Sequence, residues 1–340
     1  MRAGFPSDAM HGICTQIFGA PSLKYRGIIF SFSNIMMKLP ALVSVALCTY
    51  NGEKYLAQQL DSILSQTYAN LEVIIVDDCS TDGTFALAQQ FAAKDSRIRC
   101  IRNTDNIGFN KNFEKAIQLA QGDFIAISDQ DDIWEPQKIQ VLVDGIADNW
   151  LIFSNSAFIT ETGQAAPGTL LNNFKLDTLD FRNILLLNYV TGHTCLVARS
   201  FLQYVVPFPP AGYYDWWMGF VALYHHKITY TDQILTRYRI HQRSVIQNVM
   251  SNEKRTFELI DFKTTLTMLA NFAGYKNLAK KDARLINTLK KACNQKLKRS
   301  YYMPLVMVVY QNYHAMFPNN KKRGMLSKIG FALRYSRRLN

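Results

Sequence analysis

The chain has 340 residues, of which 48% are hydrophobic, and its formal net charge is +12. This length and composition allow a large buried core, which excludes a mostly disordered protein and predicts one large domain with appendages or two domains. The charge is uneven, because residues 251–340 hold 19 Lys and Arg against 4 Asp and Glu. The front part is therefore close to neutral, and the basic rear part predicts an anionic surface as its partner.

The first 38 residues do not look like the start of a folded domain. They mix Gly, Pro, Ser and aromatic residues without a period, and the basic and apolar regions of a secretory signal are missing. We expect residues 1–38 to be an unstructured or mis-assigned extension, with translation beginning at Met36 or Met37. The cysteines show no C-x-x-C pair, which predicts reduced thiols in the cytoplasm; they are Cys14, Cys48, Cys79, Cys100, Cys195 and Cys293.

From residue 42 onward, short apolar runs alternate with segments of helical period. The predicted elements, in chain order, are strand 43–47, helix 53–66, strand 73–76, helix 82–93, strand 98–101, helix 110–120 and strand 124–127. This alternation predicts an α/β fold with a Rossmann-like, mainly parallel sheet and helices on both faces. Ligands bind beyond the carboxyl ends of the strands in such sheets, so the residues after each strand are the functional candidates.

The residues after the first three strands are suited to a nucleotide. Tyr50, in the sequence Thr49-Tyr50-Asn51-Gly52-Glu53, can stack on a base, and Asp78 can accept hydrogen bonds from a pyrimidine. Arg102 precedes a turn that contains Gly108 and can pair with a phosphate. No G-x-G-x-x-G or G-x-x-x-x-G-K-[ST] motif follows a strand, which argues against a dinucleotide-binding domain or a P-loop.

Three carboxylates, Asp129, Asp131 and Asp132, follow the fourth strand within four residues. Like charges this close repel one another unless a cation neutralises them, so the cluster predicts Mg²⁺ or Mn²⁺ held by carboxylate oxygens. The alternative is an acidic loop in which Asp132 serves as N-cap of a helix that begins near Pro136.

The stretch after residue 149 continues with further strands and helices. Strands are predicted at 150–159, 195–198 and 233–240, and helices at 180–188 and 212–224. Asp215 lies at the start of the last helix beside Trp216 and Trp217, where it is either a general base or a carboxylate favoured by the helix dipole. The two Trp side chains point about 100° apart, which predicts that only one of them faces a pocket and that the other is a core residue.

Two histidines are further candidates, each with a simpler alternative. His193 precedes the strand at 195–198 and is placed near the acceptor, with a core or solvent histidine as the alternative. His241 ends the segment Tyr238-Arg239-Ile240-His241 and is a candidate metal or diphosphate ligand, with a solvated histidine as the alternative. The sequence leaves two interpretations of Arg239, a diphosphate contact or a surface residue.

The last ninety or so residues predict a basic helical region. Within residues 321–338, Leu326, Ile329 and Leu333 share one helical face among basic side chains, as in a helix that lies on an anionic membrane. A solvated helical tail is the alternative. Because the sequence has no nucleic-acid recognition motif, we expect no nucleic-acid partner.

Residues 42–148 resemble the nucleotide-sugar-binding half of glycosyltransferase family 2, inverting enzymes of the GT-A fold, and particularly its bacterial rhamnosyltransferase-like members. The motifs that carry the resemblance are Val43-Ser44-Val45, Thr49-Tyr50-Asn51-Gly52, Ser65-Gln66-Thr67-Tyr68, Val76-Asp77-Asp78-Cys79-Ser80-Thr81-Asp82-Gly83-Thr84, Asn106-Ile107-Gly108 and Ser128-Asp129-Gln130-Asp131-Asp132-Ile133-Trp134.

The resemblance implies a role for each candidate residue. Asp129 and Asp131 would form the D-x-D motif that binds Mg²⁺ or Mn²⁺, joined by His241, and Asp215 would be the catalytic base. With a sugar acceptor implied, we place Trp216, Trp217 and His193 on the acceptor side, one of the two Trp residues being a sugar platform and the other a core residue. Many relatives carry an acidic residue or His where this chain has Tyr214. The nucleotide-sugar contacts would be Thr49, Tyr50, Asn51, Glu53, Asp78, Arg102, Gly108 and Asp129.

We therefore predict a GT-A catalytic domain at residues 39–245, divided at 148/149 into nucleotide-sugar and acceptor halves, followed by a basic helical region at 246–340. The predicted activity is metal-dependent, inverting sugar transfer from dTDP-rhamnose or a UDP-sugar to a hydroxyl of a glycan or lipid-linked glycan. The predicted pathway is cell-surface polysaccharide synthesis. The protein is predicted to be cytoplasmic and peripheral on the cytoplasmic face of the inner membrane. The alternatives are a nucleotide-sugar-binding protein without catalysis and a membrane scaffold.

Overall fold

The structure is a computed structural model, and it describes residues 40–241, 262–296, 302–320 and 324–338. The predictions for residues 1–38, including the start at Met36 or Met37, lie outside the described residues, as do residues 321–323 of the predicted tail helix.

Strands and helices alternate as the sequence predicts. The strands are β1 (Val43–Thr49), β2 (Leu71–Asp77), β3 (Ile98–Arg102), β4 (Phe124–Ser128), β5 (Ile133–Trp134), β6 (Leu151–Ile159), β7 (Ala165–Thr169), β8 (Cys195–Ala198) and β9 (Ile228–Arg239). The helices are α1 (Glu53–Leu64), α2 (Thr84–Lys94), α3 (Phe109–Leu119), α4 (Lys138–Ile146), α5 (Leu202–Val205), α6 (Tyr214–Tyr224), α7 (Phe262–Ala273), α8 (Lys280–Lys296), α9 (Met303–Gln311), α10 (Tyr313–Met316) and α11 (Met325–Arg338).

The strands form one sheet in the order β3-β2-β1-β4-β8-β6-β9-β5, with β7 paired to β6. The first four strands are parallel, and β9 is parallel to β6. β8 runs antiparallel to both β4 and β6 and joins the two halves, while β5 pairs antiparallel with β9. The predicted α/β fold class is confirmed, and the carboxyl ends of β1, β2, β3 and β4 lie at one edge of the sheet.

Side chains of β1 alternate between two hydrophobic clusters, one on each face of the sheet. Val43, Val45 and Leu47 pack with residues of α1, α2 and α4, while Ala46 and Cys48 pack with residues of α3 and α6. This alternation is what a strand covered on both faces requires, because successive side chains point to opposite sides. The prediction of helices on both faces is confirmed.

The prediction of a helix at 180–188 is wrong. Only a 3₁₀ turn forms, at Phe181–Ile184. The Asp180 carboxylate accepts a hydrogen bond from the Arg182 backbone N–H at 2.9 Å, and the Arg182 guanidinium pairs with the same carboxylate. Asn188 also binds its own chain locally, accepting from the Val190 N–H at 3.1 Å. Such local side-chain bonds compete with continued helix.

The helices after residue 262 share the hydrophobic core of the first part of the chain. The buried Phe272 ring of α7 stacks on Phe220 of α6, with ring centroids 4.2 Å apart, and meets Trp216 edge-on at 6.0 Å. Residues of α8, α9 and α11 belong to the same cluster. The C-terminal helices therefore contribute to the folding of the part that carries Asp215.

The predicted membrane-facing stripe of the tail helix is split in the structure. Leu333 is half-buried and packs on the core with Phe331 and Tyr335, whereas Leu326 is 83% exposed. The three leucine and isoleucine positions thus do not form one free apolar face, because α11 uses part of it for packing inside the protein. No helix in the described ranges is both long enough and apolar enough to cross a membrane.

The shared core gives a stability prediction. We expect Phe272→Ala to lower the free energy of unfolding by about 3–5 kcal/mol, because it empties a fully buried aromatic site. Leu326→Ala, at a largely exposed position, is the control and is expected to change it by less than about 0.5 kcal/mol. Urea unfolding of the full chain measures both. Equal midpoints for Phe272→Ala and the parent protein would show that α7 is not part of this core.

Candidate active site

Tyr50 and the acidic loop are tied together at the ends of β1 and β4. The Gln130 side chain accepts a hydrogen bond from the Tyr50 N–H at 2.8 Å and donates one to the Tyr50 carbonyl at 3.0 Å. The Tyr50 ring remains 47% exposed, which leaves it available for stacking. Thr49, by contrast, is buried and donates to Asp77 at 3.0 Å. Sequence reasoning did not find Gln130, although it stands between two of the clustered aspartates.

The Asp78 carboxylate is buried and holds the loop that follows β3. Its oxygens accept hydrogen bonds from the Asn103 amide at 2.8 Å, the Ile107 N–H at 2.8 Å and the Gly108 N–H at 2.9 Å. Gly108 has φ +81°, a conformation that suits glycine, and α3 begins directly after it. Asp78 therefore fixes the geometry of this loop at the predicted base-binding edge.

The other predicted donor residues brace the loop between β2 and α2. Asn51 accepts from the Thr81 N–H at 2.8 Å, and Glu53 accepts from the Gly83 N–H at 2.9 Å. Arg102 is half-exposed, pairs with Asp77 at 3.5 Å and donates to the Ser80 carbonyl. These contacts bring all of the predicted donor residues to the same edge of the sheet.

The acidic loop after β4 lies beside two histidines. Ligand atoms of Asp129, Asp132 and His193 all lie within 4.8 Å of one another, and Asp131 Oδ2 is 2.7 Å from His241 Nε2. Asp132 is fully buried, and its Oδ1 accepts from the Arg239 N–H at 3.1 Å. Its Oδ2 has no hydrogen-bond partner within the described ranges.

Burial and mutual repulsion shift the pKa values of this cluster. Desolvation, followed by the charges of Asp131 and Asp215, raises the pKa of Asp129 to about 7, although its side chain keeps 37% of its surface exposed. Desolvation also raises the pKa of Asp132 well above 3.8. Lys138, buried behind the loop, donates to the His193 carbonyl at 2.6 Å and to Thr236 at 2.9 Å, and burial lowers its pKa to about 7.

These residues fit a hard divalent cation. The donor set consists of carboxylates with imidazole, and one buried carboxylate oxygen has no hydrogen-bond partner among the described residues. The raised carboxyl pKa values indicate that a positive ion would be favourable here, which agrees with a Mg²⁺ or Mn²⁺ site. The sequence also offered Asp132 as the N-cap of a helix that begins near Pro136, and that alternative is wrong. α4 begins at Lys138, and no side-chain hydrogen bond caps it.

Asp215 lies in the first turn of α6. Its Oδ1 accepts from the Trp216 N–H at 2.6 Å and the Asn188 amide at 3.1 Å, and its Oδ2 accepts from the Gly192 N–H at 3.2 Å. Burial raises its pKa from 3.8 to about 6 against the opposing effect of these hydrogen bonds. Its charge also raises the pKa of Asp129, so the two carboxylates interact across the cleft.

Trp216 and Trp217 do not provide a sugar platform, which corrects the acceptor prediction for both. Both are buried, and their indole N–H groups donate to the carbonyls of Ile184 at 2.6 Å and Val205 at 3.0 Å. The C-terminal helices cover this side of α6, which the local sequence does not reveal. Phe109, which is 51% exposed, and half-buried Tyr213 form a pair of aromatic rings at the start of α6, with centroids 5.9 Å apart.

His193 is a buried residue that borders the acidic loop. Its ring stacks on Tyr238 at 4.8 Å, Nε2 lies 2.9 Å from Ser156 Oγ, and Nδ1 lies 3.7 Å from Asp129. Burial lowers its pKa to about 3, so the ring is neutral at physiological pH. The alternative of a core histidine agrees with this burial, and the His193 ring also borders the acidic cluster.

The fold and the family comparison define the class of this protein. The α/β sheet, with donor-side loops and acidic residues at the carboxyl ends of its strands, is that of a GT-A glycosyltransferase. Residues 44–205 match the model of Glycosyl transferase family 2. The chain belongs to this family, and it is a glycosyltransferase.

Relatives and solved structures extend over most of the chain. An uncharacterized glycosyltransferase of Methanocaldococcus jannaschii is 31% identical over 69% of this chain and 82% of its own length. UDP-Glc:alpha-D-GlcNAc-diphosphoundecaprenol beta-1,3-glucosyltransferase WfaP of Escherichia coli is 30% identical over 61% of this chain and 80% of its own length. The structure of S. aureus TarS 1–349 with UDP-GlcNAc superposes with TM-score 0.55 and 17% identity over 87% of this chain and 89% of that one, which supports the fold.

Proposed function

We propose that the protein transfers a sugar from a nucleoside-diphosphate sugar to a hydroxyl of a glycan or lipid-linked glycan acceptor, with inversion at the anomeric carbon. The observation that carries the proposal is the Asp215 carboxylate, which accepts a hydrogen bond from the Gly192 N–H, next to His193, whose ring lies 3.7 Å from Asp129 of the acidic loop. Its pKa of about 6 suits a general base near neutral pH.

The donor side of the cleft has the chemistry of a nucleoside diphosphate site. The exposed Tyr50 ring offers a face for the base, and Asp78 lies at the same edge with a carboxylate able to accept a further hydrogen bond. Arg102 offers a half-exposed guanidinium to a phosphate.

Asp129, Asp131 and His241 would hold Mg²⁺ or Mn²⁺, with Asp132 as an additional carboxylate in the same loop. The bound ion would supply positive charge that stabilises the departing nucleoside diphosphate. Such an ion would favour the charged forms of Asp129 and Asp132, whose pKa values are raised by desolvation and by the neighbouring carboxylates.

Asp215 would accept the proton of the acceptor hydroxyl. Asn188 and the Gly192 N–H fix the orientation of its carboxylate, and both come from the segment before β8. Phe109 and Tyr213 would provide the aromatic surface for the acceptor in place of the two buried Trp residues.

The name of one relative supports a class of acceptor. WfaP acts, by its name, on a sugar linked to a polyprenyl diphosphate, and this supports a lipid-linked glycan acceptor in cell-surface polysaccharide synthesis. We propose work at the cytoplasmic face of the membrane, with the exposed start of α11 and its basic residues nearest the lipid. The donor is proposed as dTDP-rhamnose or a UDP-sugar.

A donor screen tests the proposal. We expect one member of a panel of dTDP-, UDP- and GDP-sugars to raise the melting temperature in the presence of Mn²⁺ and to be cleaved slowly to the nucleoside diphosphate. Stabilisation without any cleavage or transfer would indicate a nucleotide-sugar-binding protein instead. No stabilisation by any member would contradict the proposed donor class.

Two substitutions test the assigned roles. Asp215→Asn and Asp131→Ala are each expected to reduce turnover by about a hundredfold or more, because one removes the base and the other removes a metal ligand. Asp144→Asn, on the exposed side of α4, is the control and should keep full turnover. Circular dichroism checks that each variant is folded. Near-normal turnover of folded Asp215→Asn would remove that residue from the base role.

The raised pKa of Asp215 predicts the pH dependence. The base must be ionised, so kcat/KM for the acceptor should fall about tenfold per pH unit below about pH 6. Because this pKa lies above the ordinary 3.8, ionising Asp215 as the pH rises through about 6 costs folding stability. Initial rates at saturating donor between pH 5 and 8 measure the profile. A flat profile for the parent enzyme would contradict the assignment.

A further inference from the structure

Arg239 is a buried cation whose contacts go to neutral oxygens. It is only 1% exposed, and its guanidinium donates to the carbonyls of Asp131 at 2.7 Å and Glu161 at 3.0 Å and to the Gln58 amide oxygen at 2.8 Å. No carboxylate of the described residues lies within ion-pair distance of it. A guanidinium stays charged in proteins, so this burial is costly and needs a nearby source of negative charge.

The acidic loop is a source of negative charge that Arg239 contacts directly. Arg239 binds the loop through two different atoms, since its Nε donates to the Asp131 carbonyl and its backbone N–H donates to Asp132 Oδ1 at 3.1 Å. The fork of the guanidinium therefore joins the loop to α1, through Gln58, and to the end of β6, through Glu161.

Arg239 also borders the histidine that meets Asp131. The Tyr55 ring lies between them, 5.0 Å from the guanidinium carbon of Arg239 and 5.1 Å from the His241 ring. His241 Nε2 in turn lies 2.7 Å from Asp131 Oδ2. The Arg239 side chain thus fixes the main chain of Asp131 directly. Through the Tyr55 ring it also supports His241, which contacts the Asp131 carboxylate.

We propose that Arg239 is a positioning residue, which holds residues 129–132 and His241 in the arrangement that binds the divalent ion. It does not reach a diphosphate, because its donors are engaged with the protein, and it is not a surface residue. Both interpretations left open by the sequence are therefore wrong. The inference rests on the proposed metal-dependent function.

The test compares three variants of the full chain. Arg239→Met removes the donors with little change of side-chain length. Arg239→Lys keeps the charge but offers one ammonium in place of a planar fork, so it cannot reach all three directions. Arg237→Met is the control, because Arg237 lies on the same strand, is half-exposed and pairs with Glu135 at 2.6 Å.

Binding of Mn²⁺, alone and with UDP, is measured from the electron paramagnetic resonance signal of the free ion. We expect Arg239→Met to weaken binding about 10–100-fold, the usual effect of losing a group that orients metal ligands, and Arg239→Lys to weaken it less. Arg237→Met should bind like the parent protein. A folded Arg239→Met protein with unchanged Mn²⁺ affinity and a lower melting temperature would overturn the proposal and leave a purely structural role. If Arg239→Met does not fold, Arg239→Lys is the test, and unchanged Mn²⁺ affinity of that folded variant with a lower melting temperature would overturn the proposal.

Amide hydrogen exchange separates this proposal from the proposed function. Exchange of residues 129–134 should be faster in the Arg239 variants than in Arg237→Met, whether or not a metal is present. If the parent protein binds no Mn²⁺ but this exchange changes as expected, the metal-dependent function fails while the positioning of the loop by Arg239 holds. Unchanged exchange in folded Arg239 variants would refute the positioning itself.

Discussion

The structure depends on keeping several carboxylates together at the carboxyl end of β4. Asp129, Asp131 and Asp132 share one loop, and Asp215 meets them from α6. Removing such charges from water costs several kcal/mol each unless opposite charges or hydrogen bonds compensate. Much of the surrounding structure can be understood as that compensation.

Two buried cations, Lys138 and Arg239, lie next to the loop. Lys138 contacts the segment before β8 and the strand β9, and Arg239 contacts α1 and the end of β6. Each therefore joins the acidic loop to elements that are distant in sequence. Asp215 adds a further negative charge near the loop, and the pKa of Asp129 is raised by desolvation first and then by the charges of Asp131 and Asp215.

The sequence allowed prediction of the features that arise from local pattern. Apolar runs and helical periods gave the order of the elements up to β4, and the position of residues directly after strands placed Tyr50, Asp78 and Asp129 at one edge of the sheet. These predictions succeed because strand and helix periods depend on neighbouring residues, and because parallel strands bring their carboxyl ends together.

The features that sequence reasoning missed depend on contacts between distant segments. Trp216 looked like a sugar platform, but Phe272, more than fifty residues later, covers it. Arg239 looked like a phosphate or surface residue, and its burial follows from the pairing of β9 with β6, which brings the carbonyl of Glu161 to its guanidinium. The sequence around each residue carries no signal of these partners.

The most direct test of the central claim is a crystal structure of the protein with Mn²⁺ and the donor found by screening. We expect the ion to bind Asp131 and the diphosphate together, with the anomeric carbon on the side of the cleft that faces Asp215. A diphosphate bound away from Asp131, with the acidic loop free of metal, would contradict the account.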